Sequence, residues 1–212
     1  MSKIEEDTRG GFNSLLEEQR DEPGEATVTL YDFNSRVERL FQARPIEDVP
    51  KLTGENYTPG GKTALHDAMA TAIRDTGQRI SELPDSDKPD HVLTVVLTDG
   101  KENASETPVQ TIQELVELRQ EEHDWEFLFI GANQDAVLTA EKMGMEKDRA
   151  MTMAHNKEGT WSAYESTSEQ LSQMRREGTT DGFDEEDRKR QQEARDPDAT
   201  QNSRRPVASQ TP

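Results

Sequence analysis

The sequence predicts an α/β fold built on a sheet with parallel central strands, and three observations carry that reading. Two short, strongly apolar runs, HVLTVVLT at 91–98 and EFLFI at 126–130, are bounded by turn residues and are shorter than core helices. Segments with helical apolar spacing alternate with them, most clearly at 109–123, where Ile112, Leu115, Val116 and Leu118 form one stripe. Both runs end in residues that turn the chain, Asp99-Gly100 and Gly131-Ala132-Asn133.

In chain order, residues 2–19 place Ile4, Phe12, Leu15 and Leu16 among charges, which reads as an amphipathic helix closed by Asp21, Pro23 and Gly24. The stretches 26–33 (ATVTLYDF) and 37–43 (VERLFQA) flank Asn34-Ser35 and read as a hairpin. Residues 45–61 form a long polar loop, and a helix covers 63–83. The run 91–98 is predicted to be a strand buried on both faces, 109–123 a helix and 126–130 a second buried strand. A short helix at 135–143, an edge strand at 149–154 and a helix at 159–176 complete a domain over 1–177. From 178 to 212 the apolar content falls to little beyond Phe183 and Val207, so this segment is expected to be a disordered tail. Trp125 and Trp161 are assigned to the partial core, and Met143, Met145, Met151 and Met153 to filling gaps in it.

Composition limits function. The 212 residues carry 44 acidic and 25 basic side chains, a net charge of −19, opposite in sign to a nucleic-acid-binding surface. The segment 178–212 contributes only −2 of this, so the folded body is itself acidic, a pattern suited to a halophilic, salt-accumulating cytoplasm. No apolar run reaches the roughly 20 residues of a spanning helix, and the start lacks the apolar stretch of a signal peptide, so no membrane association is expected. There is no cysteine, and His66, His91, His123 and His155 are isolated along the chain, which argues against thiol chemistry and zinc.

Ligands of α/β sheets bind beyond the carboxyl ends of the strands. Two loops qualify there: Thr98-Asp99-Gly100, and Pro59-Gly60-Gly61-Lys62-Thr63 before a helix. The local alternatives are that Thr63 caps the helix and that Asp99 opens a turn. Gly61-Lys62-Thr63 and HVLTVVLTD together invite a nucleotide-hydrolase reading. A phosphate loop, however, needs glycine where Asn56 stands and must follow a buried strand, whereas 51–58 is polar. No base and matched nucleophile accompany these loops, and an enzyme is not expected.

The stretches RGGFNSLLEEQ, PGEATVTLYDF, YTPGGKTALHDA, VLTVVLTDGKENAS and WEFLFIGANQDA, in this order and at these separations, resemble the von Willebrand factor A domain, in its small stand-alone intracellular form. The resemblance spans residues 1–176 and implies a doubly wound, mostly parallel sheet with helices on both faces. It also implies a metal-ion-dependent adhesion site, with Thr63 and Asp99 as ligands of a Mg²⁺ or Mn²⁺ ion that docks a protein partner through its acidic side chain. Hydroxyl and carboxylate oxygens are the donors such hard cations prefer. The implied function is noncatalytic protein binding. The family's first central strand and its Asp-x-Ser-x-Ser loop have no counterpart here. A start assigned too late, a decayed copy, and a slot filled by another protein's strand are the three accounts of that gap. A metal-independent interaction protein of the same fold is the alternative function.

Overall fold

The computed structural model describes residues 4–132 and 135–196. The fold is mixed α/β, with a three-stranded parallel sheet and a separate antiparallel pair.

Helix α1 (Glu5–Asp21) precedes the hairpin of β1 (Thr27–Phe33) and β2 (Val37–Pro45). Helix α2 (Leu65–Glu82) leads to β3 (Leu93–Thr98), α3 (Val109–His123), β4 (Glu126–Ala132), α4 (Ala136–Lys142), β5 (Ala150–Met153) and α5 (Lys157–Glu177). Each follows the predicted order to within a few residues. The parallel sheet runs β3-β4-β5, with Val96 opposite Phe129 and Ile130 opposite Met151.

Strand alternation divides the core. Phe127 and Phe129 of β4 and Val96 of β3 pack against Leu65, Met69 and Ile73 of α2, Ile112 and Val116 of α3, and Ala136 and Ala140 of α4. Leu128 and Ile130 point the other way, onto Ile4, Met151, Met153, Ala163 and Phe183. Helix α1 continues over the hairpin, where Leu16 joins Phe41, Ile46 and Val49. Its carboxyl end is held by Arg175 of α5, whose Nη2 donates to the carbonyls of Glu22, Pro23 and Gly24 at 2.7–3.0 Å.

Two expectations are corrected. Strand β3 is not buried on both faces along its length: only Val96 and Thr98 are buried, and Val95 is 37% exposed. The cause is position. It forms a ladder with β4 alone and so lies at the edge of its sheet.

The second correction concerns the expected disorder from 178 onward. Residues 185–195 form a helix, α6 (Glu185–Arg195), opened by a capping box between Asp184 and Asp187. Phe183 is 2% exposed in the core, and its N–H donates to the Asp148 carbonyl at 2.7 Å. Polar side chains do the rest. Arg188 and Arg195 donate to the Ala150 and Thr152 carbonyls at 2.7 and 2.9 Å, and Gln191 Oε1 accepts from the Ala154 N–H at 2.8 Å. These backbone groups alternate along the outer side of β5, so α6 seals that sheet edge. The remainder of the predicted tail, 197–212, lies outside the described residues.

No helix among the described residues is long and apolar enough to cross a membrane.

Candidate functional site at the carboxyl edge

The two loops singled out in the sequence meet. Thr63, two residues before α2, donates its N–H to Asn103 Oδ1 at 3.0 Å, and its carbonyl accepts from the Asn103 N–H at 3.1 Å. Its hydroxyl rests against Gly100, where a Cβ would overlap it, so the approach requires glycine there. Thr98, 4% exposed, steadies the turn by exchanging hydrogen bonds with the Gly100 N–H and carbonyl at 3.2 Å. Thr63 thus packs on Gly100, the residue after Asp99.

The loop after β3 is knitted to the start of α2. Glu102 accepts from the N–H groups of His66, Ala104 and Ser105 and from the Ser105 hydroxyl, at 2.6–3.1 Å. Asp67 in turn accepts from the N–H groups of Glu106 and Thr107 at 3.1 and 2.9 Å. Burial works against both carboxylates, but the donors outweigh it and hold both pKa values below the ordinary range. Glu102 thus supplies from a distance the cap that α2 lacks at its own N-terminus. His66 is partly buried, with Nδ1 at 3.2 Å from the Thr107 carbonyl.

Sequence reasoning missed His155. It follows β5 and places Nε2 3.3 Å from Asp99 Oδ2, with the two side chains 22% and 19% exposed. The isolation of the histidines along the chain concealed this, although the rule that directs attention to strand carboxyl ends applies to β5 as well.

The donor set can be tested against a hard divalent cation. Mg²⁺ takes about six oxygens in near-octahedral geometry. Thr63 and Asp99 offer two donors, and the neighbour of Asp99 is an imidazole nitrogen. No group of three or more His, Asp or Glu side chains suited to a metal occurs among the described residues. These residues alone do not fit the ion.

No family model and no curated protein matches the chain. Among solved structures, it is similar to proximal thread matrix protein 1 of the mussel byssus, with 14% identity and a TM-score of 0.55 over 77% of this chain. The matched region spans 41% of that protein. At this identity the likeness concerns the fold.

Proposed function

We propose that the protein is a noncatalytic protein-binding module of the von Willebrand A type, with a doubly wound design and its recognition surface at the carboxyl edge around Thr63, Asp99 and His155. The carrying observation is the convergence of three loops there, with the Thr63 hydroxyl on Gly100 and Asp99 beside His155. The Asp99–His155 contact joins the ends of β3 and β5, which favours the metal-independent form of the reading, in which the partner meets this edge directly. The metal-dependent form, with Mg²⁺ or Mn²⁺ bridging to an acidic side chain of the partner, is supported by the contact of Thr63 with Gly100, next to Asp99 in the chain, and needs oxygen donors beyond Thr63 and Asp99.

Melting the protein with and without 10 mM-scale Mg²⁺ or Mn²⁺ separates the forms, because a ligand at about 100 times its Kd stabilises by roughly 2.7 kcal/mol. No shift is the expected result. A rise of several degrees that Asp99→Ala abolishes would establish the metal-dependent form. Capture of a partner by the wild type that is equal for Thr63→Ala, Asp99→Ala and His155→Ala variants would overturn the carboxyl edge as the recognition surface.

A further inference from the structure

We propose that α6 is a releasable strap on the loop that carries His155, opening off β5 and α5 as a unit while Phe183 and the sheet stay in place. The opening does not depend on what the carboxyl edge binds.

The segment after α5 divides at Asp184 into an anchor and a strap. The anchor is 178–183. Phe183 is 2% exposed, in the cluster with Leu128 and Ile130, and its N–H donates to the Asp148 carbonyl at 2.7 Å. Before it in the chain, the Asp181 N–H donates to Gln173 Oε1 at 3.0 Å, the Thr179 hydroxyl donates to Glu126 Oε1 at 2.9 Å, and the Thr180 carbonyl accepts from Arg149.

Helix α6 is held differently. Its sequence, EEDRKRQQEAR, has Ala194 as its one apolar residue, and its buried residues are Asp187 and Gln191. The three apolar clusters of the described residues draw no side chain from it. Polar contacts hold it instead. Toward β5, Arg188 donates to the Ala150 and Lys147 carbonyls at 2.7 and 2.9 Å, and Arg195 donates to the Thr152 carbonyl at 2.9 Å. Toward α5, Asp187 accepts from the Ser166 hydroxyl and Glu169 accepts from Arg190 at 3.3 Å.

The remaining ties converge on one loop. Gln191 Oε1 accepts from the Ala154 N–H at 2.8 Å, Gln191 Nε2 donates to the Gly159 carbonyl at 3.0 Å, and Asn156 Nδ2 donates to the Ala194 carbonyl at 2.6 Å. Ala154 and Asn156 flank His155, whose Nε2 stands 3.3 Å from Asp99 Oδ2. Helix α6 therefore braces both chain neighbours of the residue that joins the end of β5 to the loop after β3.

The kind of contact sets how the strap lifts. A hydrogen bond broken on lifting is exchanged for one with water, so it holds far less firmly than the burial of a large apolar side chain, which is what fixes Phe183 and β4. Off the sheet, the 11 residues of α6 fall short of the roughly 12–15 at which isolated helices are even marginal in water, so lifting and unravelling are one event. That event exposes little apolar surface and leaves the packing between β4, α2 and α3 untouched. It removes the bonds on both sides of His155, so the position of the imidazole against Asp99 is governed by a helix that belongs to none of the strands it braces.

The test is native-state amide hydrogen exchange on the full chain, followed by NMR over a series of urea concentrations below the unfolding transition. The Ala154 amide marks the loop, the Phe183 amide marks the anchor, and Phe129 and Ile130 mark the sheet. The expected result is that the amides of 185–195 and of Ala154 exchange through one opening, with little dependence on urea, and at least about a hundredfold faster than those of Phe183, Phe129 and Ile130. Exchange of α6 and Ala154 as slow and as urea-dependent as that of Phe129 and Ile130 would make α6 part of the global unit and overturn the proposal. Exchange of Phe183 together with α6 would show that the whole of 178–195 detaches, and Ala154 protected with the sheet while α6 exchanges would show that the loop does not depend on the strap; either result also overturns it.

Discussion

Phe183→Ala tests whether the segment after α5 belongs to the domain. The ring is 2% exposed and lies among Ile4, Leu128, Ile130, Met151, Met153 and Ala163, on the face of the sheet opposite α2. Removing a buried phenylalanine costs about 3–5 kcal/mol, from lost transfer energy and the cavity left behind. The lower half of that range applies here, because 178–184 is a connecting segment that can settle inward. A loss of about 3 kcal/mol lowers the melting temperature of a chain this size by roughly 6–12 °C. Thermal unfolding followed by circular dichroism measures it. Gln191→Ala should add an independent deficit of about 2–4 kcal/mol, since the side chain, 2% exposed, serves the Ala154 N–H and the Gly159 carbonyl at 2.8 and 3.0 Å, and both would lose a buried partner. A melting temperature within 2 °C of wild type for both variants would show that 178–196 does not dock, and would refute the account of how the outer edge of β5 is closed.

Other consequences are equally direct. Glu102→Gln should cost about 1–3 kcal/mol at neutral pH, because an amide cannot accept from all four donors that converge on the carboxylate. The folded state holds the Glu102 proton less tightly than the unfolded chain, so this stabilisation is complete above the ordinary glutamate pKa of about 4.3 and fades as the pH falls further. Melting curves of wild type and variant should therefore converge in acid, and a gap that stays constant from pH 7 to pH 3 would contradict the assignment. Gly11→Ala should destabilise by 1 kcal/mol or more despite the better helix propensity of alanine, because its Cβ would overlap the Tyr164 ring at the α1–α5 contact; a variant that melts higher than wild type would count against that packing. With a net charge of −19, stability should rise from low salt to molar KCl as self-repulsion is screened, and equal melting temperatures at both extremes would remove the halophilic reading.

How far the fold was legible depended on which force built each part. The hairpin, α3 and β4 are written in apolar periodicity, and each appears within two residues of its predicted bounds. Helix α6 was missed because polar contacts hold it. Arg188, Gln191 and Arg195 reach backbone groups of Ala150, Ala154 and Thr152, and a hydropathy reading sees only Phe183. The meeting of the loop before α2 with the loop after β3, Thr63 on Gly100 and Asn103, followed from the rule for strand carboxyl ends, whereas the Asp99–His155 contact depends on the strand order, which residue types alone do not disclose.

The partial burial of β3 joins these threads. LTVVLT has the composition of a strand enclosed on every side, and β4, with comparable composition, is enclosed. What differs is the neighbour on one edge. Apolar content records the environment a strand is suited to, and the hydrogen-bond ladder records the environment it has; in β3 the two disagree, with Val95 37% exposed. Exposed strand edges are ordinarily shortened, charged or covered, because open backbone groups recruit other strands. This chain follows that rule at β5, where three side chains of one short helix close the edge. At β3 it places Leu, Thr and Val, residues that favour pairing, beside an edge with no ladder partner among the described residues. The same polypeptide thus seals one edge of its three-stranded sheet with the side chains of α6 and lines the other with residues that favour pairing.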